Sequence, residues 1–236
     1  MTRLSDGPAA LSDCDCVLFP ILTPENRAEL LNILPNISPR QPVFGGKIDT
    51  ECYEAATASG LSLHDYLLRE ELAVANAVPT AEGALQLAME HLPITIRESR
   101  VLISGFGRVG QCTARCFRAL GANVAVLARA PGQLALAESM DCRAIALKEF
   151  SSSRHPFDLI LNTIPAPIFG FSLLNAAGSP ILMELASPPG GFDLDAVAEL
   201  GLRLIPAPGL PGKAAPLTAA RIIQKTIYRM LEEFDL

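Results

Sequence analysis

The hexapeptide Gly105-Phe106-Gly107-Arg108-Val109-Gly110 constrains this 236-residue chain more than any other feature. Its G-x-G-x-x-G spacing alone is a weak signal in a chain with 17 glycines. Context strengthens it. The aliphatic run Val101-Leu102-Ile103-Ser104 enters the turn, and a helical stretch rich in Ala and Arg leaves it. In such a strand–turn–helix unit the first glycine makes the tight turn, the second lets the backbone approach a pyrophosphate, and the third lets the helix pack on the strand. The amides of the helix N-terminus then face the phosphates with positive potential behind them.

Around this motif the pattern alternates short aliphatic runs with helical periodicity, the mark of an α/β layer fold. Strands are expected at Val101 to Ser104, Asn123 to Ala128, Ala144 to Leu147, Leu159 to Thr163, Ile181 to Leu185 and Leu202 to Ile205, with helices at Val109 to Leu120 and Gln133 to Met140. Right-handed crossovers make this a Rossmann doubly wound parallel sheet in the order 3-2-1-4-5-6, whose ligand cleft opens at the carboxyl ends where the first and fourth strands diverge. Upstream, strands at Cys16 to Pro20 and Pro42 to Phe44 and helices at Pro24 to Ile33 and Asp49 to Ala58 describe a smaller α/β unit. Leu72 to Ala75 reads as a further short strand, and Pro79 stands at the first turn of a helix ending at His91. The expected domains are an N-terminal α/β domain for substrate or partner over 1–92, the Rossmann domain over 93–215, and a C-terminal helix over 216–236 packing back on the first.

Charge excludes some function classes. With 19 Lys and Arg against 25 Asp and Glu, the net charge of −6 is opposite to the basic footprint that a phosphate backbone requires, so nucleic acid is not an expected partner. No apolar run approaches the roughly 18 to 20 residues of a membrane span and no signal-peptide core follows Met1, so no membrane association and a cytoplasmic location are expected. The six cysteines show no C-x-x-C spacing and are expected as reduced thiols. Cys112 and Cys116 lie one helical turn apart but lack further ligands at suitable spacing, so no metal site is expected.

An NAD-specific site places a carboxylate at the end of the second strand, about 20 residues past the glycine turn, to hold the ribose hydroxyls. Here no Asp or Glu occurs between Gly110 and Glu138, and the strand ends Val126-Leu127-Ala128-Arg129. A guanidinium at Arg129 matches a 2′-phosphate, which favours NADP(H) as the cofactor; the alternative is a solvated loop charge.

Several segments together resemble the dipicolinate synthase A-subunit family, which supplies the pyridine-nucleotide component of the enzyme with which spore-forming bacteria make dipicolinate. They are Asn76-Ala77-Val78-Pro79-Thr80-Ala81-Glu82-Gly83, the glycine turn with Gly121-Ala122-Asn123-Val124, Asn162-Thr163-Ile164-Pro165, the run from Leu185 to Asp193 (LASPPGGFD), and the run from Ala207 to Pro216 (APGLPGKAAP). The resemblance covers about residues 65 to 225. It implies an NADP(H)-dependent oxidoreductase subunit, a flavoprotein partner, a role in sporulation, and a cyclic dihydrodipicolinate-like dicarboxylate as substrate; a homodimer is a further expectation. It also implies an additional N-terminal strand–helix–strand segment absent from this sequence, so the N-terminal domain is expected to be abridged. Three local departures stand out. Ala130-Pro131 replace the hydroxyl residues that commonly follow the arginine, Glu184 stands where Asp is common, and Leu217 replaces a basic residue.

Asn162 to Pro165, Ala186 to Gly191 and Ala207 to Gly212 each follow an expected strand, so all three loops should crowd the cleft of the glycine turn. Cofactor contacts are expected from Gly105, Phe106, Gly107, Arg108, Val109 and Gly110, from Arg129, and from Asn162, Thr163, Ile164, Pro165, Ala186, Pro208 and Gly209. A dicarboxylate needs cations, for which Lys213, Arg108 and Arg69 adjoin the shared segments; Asn76, Thr80 and Ser187 are neutral donors. Lys213, Glu82 and His91 are the candidate catalytic groups. Glu82 has a second reading as a helix N-terminal charge, and His91 as an imidazole favoured by a helix C-terminus. His64 and His155 are expected on the surface. Two alternatives remain: a hydroxyacid or alanine dehydrogenase, and a subunit that binds NADP(H) without independent catalysis.

Overall fold

The computed structural model describes residues 14–150 and 156–233. These residues divide into two compact units, one of 14–73 and 221–233 and one of 74–150 and 156–220.

The first unit is built on a parallel sheet of β1 (Val17–Ile21), β2 (Val43–Gly46) and β3 (Leu63–Asp65), in that order. Two helices carry the chain between the strands. α1 (Pro24–Ile33) begins with Thr23 and Asn26 in a reciprocal capping box and with Pro24 in its first turn. α2 (Thr50–Ala58) is capped by Asp49, whose carboxylate accepts from the Cys52 amide at 2.9 Å. The Arg27 guanidinium donates to the same carboxylate, and together these bonds hold Asp49 down to about 2. His64, expected on the surface, lies instead in β3 with its ring 5.6 Å from that of Phe44, and burial lowers its pKa. His155 lies outside the described residues.

A single helix, α3 (Glu70–His91), replaces the expected short strand and second helix. Pro79 lies in its interior, where the missing amide costs one backbone bond. Burial of one stripe, Ala77, Ala81, Ala84 and Ala88, at i, i+4, i+7 and i+11, outweighs that loss. The positive end of the helix therefore falls at Glu70 and Glu71, and the exposed Glu82 is mid-helix rather than in a first turn.

The second unit carries a six-stranded, wholly parallel sheet: β4 (Arg100–Ser104), β5 (Asn123–Ala128), β6 (Arg143–Ala146), β7 (Leu159–Asn162), β8 (Ile181–Glu184) and β9 (Leu204–Pro206). Their spatial order, β6-β5-β4-β7-β8-β9, is the doubly wound order expected from the sequence. β4, β5 and β7 are buried on both faces apart from the first residues of β4 and β5 at the edge, as a sheet covered by helices requires. α4 (Arg108–Ala119) packs on the sheet through Gly110, Thr113, Ala114 and Phe117, a stripe at helical spacing. α5 (Pro131–Ser139), α6 (Leu147–Phe150), α7 (Phe171–Ala176) and α8 (Leu194–Glu199) complete the crossovers, and α9 (Leu210–Ala214) follows the last strand. The last helix, α10 (Pro216–Glu232), runs on into the first unit, where Ile227 and Met230 pack with Phe44, Tyr66 and Leu72.

Two outcomes test this packing. Phe117 is wholly buried between α4 and the sheet, so Phe117→Ala should lower stability by about 3–5 kcal/mol in urea titrations. At the amino edge, Arg100 pairs with Asp158 at 2.6 Å and holds its carboxyl below the ordinary 3.8. A depressed carboxylate contributes fully above its unfolded pKa and loses that contribution as pH falls through the folded value. Asp158→Asn should therefore lower Tm by about 2–4 °C at pH 7 and flatten the fall in Tm on acidification below about pH 4, both read by circular dichroism.

Candidate functional site

The carboxyl ends of the parallel strands form one row. Ser104 of β4 is in register with Asn162 of β7, Asn162 with Glu184 of β8, and Glu184 with Pro206 of β9. Three of these side chains are hydrogen-bonded in sequence: Ser104 Oγ donates to Asn162 Oδ1 at 2.5 Å, and Asn162 Nδ2 donates to Glu184 Oε1 at 2.7 Å. Asn162 completes its bonding with the Ile164 amide and carbonyl, at 3.2 and 2.9 Å. Its side chain is wholly buried and all four bonds are internal, so it shapes the cleft instead of contacting a ligand, contrary to the role expected for it.

The glycine turn sits against this row. Gly105 has φ +82°, and a Cβ there would come within 2.7 Å of Thr163 Oγ1. Gly110 faces the Gly105 carbonyl, where any side chain would collide. Gly107 differs from both: a Cβ would meet nothing within 4 Å, so its backbone faces open space. It is also the N-cap of α4 and offers no side chain to that helix, leaving the first amides of α4 without a side-chain cap. That arrangement suits an external anion. Phe106 is buried in the core and Val109 is half-buried, so Phe106 can contribute only backbone to a ligand. Arg108 is exposed and already engaged within the protein.

The turn is tied to β5 by the Gly105 amide, which donates to the Leu127 carbonyl at 2.9 Å. Two residues beyond Leu127, Arg129 is exposed, with no hydrogen-bond or ion-pair partner among the described residues. On the other side, Thr163 Oγ1 donates to the Ser104 carbonyl at 2.7 Å. The loops after β7 and β8 are joined to each other: Ile168 and Phe169 donate to the Gly191 carbonyl, and the Phe169 and Phe192 rings stack at 5.0 Å. Ile164 is half-buried at this edge, Pro165, Ser187, Pro208 and Gly209 are exposed there, and the Ala186 amide is taken by Glu184.

Lys213 lies on α9, exposed and without an ion-pair partner among the described residues. Close approach of α9 to α3 depends on Gly83, where a Cβ would stand 3.1 Å from Ala214 and 3.2 Å from Leu210. The Asn76–Gly83 segment thus belongs to the unit of the glycine turn. Asn76 Oδ1 is buried without a partner among the described residues, while Thr80 Oγ1 donates back to the Asn76 carbonyl at 2.7 Å. Burial and the charge of Glu82 push the Cys116 thiol up, which argues against thiolate chemistry there.

Two expected site residues have other partners. His91 Nδ1 accepts from Arg203 at 3.1 Å, and Arg203 directly precedes β9, so His91 stands at the amino end of the sheet, opposite the glycine turn. Arg69 is committed to carboxylates: it pairs with Glu71 at 2.8 Å and grips both oxygens of Glu233. These contacts oppose its assignment to a substrate carboxylate. Glu184, whose role the sequence left open, proves to be the centre of the network. A cavity of about 580 Å³ lined by Arg100, Arg118, Asp141 and Arg143 lies at the amino ends of the strands. Two of its arginines already face Asp158 and Asp141, and no helix N-terminus of the glycine turn opens there, so the carboxyl edge is the candidate site. Among the described residues no group of three or more His, Cys, Asp or Glu is placed to hold a metal ion, and no helix is long and apolar enough to cross a membrane.

The sheet order and the glycine turn define a Rossmann domain of the dehydrogenase type. An alanine dehydrogenase shares this fold at TM-score 0.68 and 15% identity, over 95% of this chain and 72% of its own. The chain belongs to the dipicolinate synthase A-subunit family. It is 34% identical over 194 residues to the dipicolinate synthase A-subunit of Bacillus subtilis (strain 168), an alignment spanning 82% of this chain and 65% of that relative's length. The crystal structure of the dipicolinate synthase A chain from Bacillus subtilis matches at TM-score 0.80 and 32% identity over 87% of this chain and 69% of its own. That of the A-subunit from Bacillus halodurans matches at 0.86 and 28%, over 98% and 83%. No protein-family model matches the chain.

Two substitutions test the edge. Asn162→Ala leaves Ser104 and Glu184 short of partners and should cost about 1–3 kcal/mol in urea titrations. Gly110→Ala should displace the turn against α4 and lower Tm, because neither backbone can yield without breaking the strand–helix junction.

Proposed function

We propose that this chain binds NADP(H) across the carboxyl edge of its six-stranded sheet and serves as the oxidoreductase subunit of a dipicolinate synthase. The observation that carries the cofactor reading is Arg129, an exposed guanidinium at the end of the second strand with no partner, carboxylate or other, among the described residues. A ribose hydroxyl pair would leave that cation unused; a 2′-phosphate would take two charge-assisted bonds from it. The open backbone at Gly107 and the amides of α4 fit the pyrophosphate. When bound, the nicotinamide ring supplies a carbon that donates or accepts hydride.

The chain's own groups then orient the second reactant. Lys213, on the helix that meets the Asn76–Gly83 segment, is the cation we assign to one carboxylate of a cyclic dihydrodipicolinate-like dicarboxylate; Arg108 at the turn would have to exchange its present partner to reach either ligand. Asn76 and the exposed Ser187 are the neutral donors of this reading, and Glu82 completes it; Thr80, whose hydroxyl proton is given to the Asn76 carbonyl, can only accept. A flavoprotein subunit is the proposed partner, in the cytoplasm of a sporulating cell, with a homodimer as the proposed assembly of the chain itself. The position of His91 disfavours a hydroxyacid or alanine dehydrogenase that depends on it for proton transfer. The second reading is a subunit that binds NADP(H) without independent catalysis.

Isothermal titration tests the cofactor. NADPH should bind more tightly than NADH, and Arg129→Ala should weaken NADPH about tenfold or more while leaving NADH nearly unchanged; equal affinities in the unaltered protein would refute the assignment. For the reaction, dipicolinate absorbance should rise only when this chain, NADP(H) and the flavoprotein are all present. In that assay Lys213→Ala should raise the substrate KM by about tenfold.

A further inference from the structure

The Glu184 carboxylate is placed unusually for a cleft that is to receive phosphates. It is half-buried at the carboxyl end of β8 and has no ion-pair partner among the described residues. Its charge is met entirely by N–H groups: Asn162 Nδ2 at 2.7 Å and the Ala186 amide at 3.0 Å on Oε1, and the Gly191 amide at 2.7 Å on Oε2. The three donors come from the end of β7, the beginning of the loop after β8, and the end of that same loop. One carboxylate therefore closes the loop on itself and fastens it to the neighbouring strand.

The local sequence is shaped around this clamp. A Cβ on Gly190, which has φ +79°, would stand 2.9 Å from Glu184 Oε2, and one on Gly191 would collide with the Asn162 amide. Consecutive glycines let the returning backbone reach the carboxylate. What the closed loop presents outward is its opposite side, with Ser187 exposed at a turn closed by the Gly190 amide on the Ser187 carbonyl at 3.1 Å. In a doubly wound sheet one dinucleotide half lies over β4–β6 and the other over β7–β9. The clamped loop borders the second half, away from Arg129.

We propose that Glu184 is a positioning residue for the nicotinamide half of the dinucleotide, holding the 185–191 loop in the form that receives it. This rests on the NADP(H) reading above, and the two are separable by fragment binding. 2′,5′-ADP carries the adenosine half alone and should need Arg129 and the glycine turn but not Glu184. Glu184→Gln cannot preserve the clamp. Whichever way the amide is turned, an N–H group faces either Gly191 or the Asn162–Ala186 pair, setting donor against donor.

Titrations of the full-length chain with NADPH and with 2′,5′-ADP decide the matter. The expected result for Glu184→Gln is an NADPH affinity lower by about tenfold, with 2′,5′-ADP binding changed less than about twofold. Should that variant not fold, Glu184→Asp serves instead, since it keeps the charge but draws it back by one methylene; NADPH affinity should then fall about threefold, again with the fragment unchanged. Parallel losses for both ligands would show a general structural role and overturn the proposal, as would unchanged NADPH binding. If the unaltered chain bound neither ligand, the dinucleotide reading itself would fail, an outcome distinct from either of these.

Discussion

Ser104, Asn162 and Glu184 lie on three adjacent strands, and the hydrogen bonds between them run across the point where the order of the sheet reverses. In a parallel sheet the strand ends diverge into separate loops, each free to move unless something fastens it. Here a buried amide with two acceptor and two donor bonds links the floor of the glycine turn to the loops after β7 and β8. A buried network of this kind rigidifies only when every member is satisfied. Asn162 meets that condition. The glycines around it, at 105, 110, 190 and 191, are the backbone counterpart, each placed where a side chain would strike the network or the turn.

That rigid edge leaves three features facing outward: the uncapped start of α4, the Arg129 guanidinium, and the loop carrying Ser187. The first two match the phosphates of a dinucleotide and the third borders the space beyond them. The arginines at the amino edge of the same sheet illustrate the contrast, since Arg100 and Arg118 are spent on neighbouring aspartates. Charge is thus balanced internally at one end of the sheet. At the other it is left available.

Much of this was legible in the sequence because the signals are local. A β-branched or aliphatic run entering a glycine turn specifies strand, turn and helix within about ten residues, and repeated runs of that type specify the doubly wound order. The expected bounds of β5, Asn123 to Ala128, and of α1, Pro24 to Ile33, agree with the structure. Pro79 misled because its local meaning, a helix start, was overridden by the tertiary burial of the alanine stripe on α3. The short helices α6 to α9 carry too few turns for periodicity to register. Side-chain partnerships were hidden for a different reason. Arg69 meets Glu233 across 164 residues and His91 meets Arg203 across 112, so neither commitment has a local signature. Glu184 and Asn162 are 22 apart, and only strand register brings them together.

On the reading proposed above, one edge of the sheet, held by this network, receives a 2′-phosphorylated dinucleotide. A crystal structure of the chain with NADPH tests it most directly. The pyrophosphate should lie on the amides that begin α4, the 2′-phosphate within hydrogen-bond distance of the Arg129 guanidinium, and the nicotinamide beside the 185–191 loop. Density for the nucleotide at the amino edge, or a 2′-phosphate turned to solvent away from Arg129, would overturn that reading.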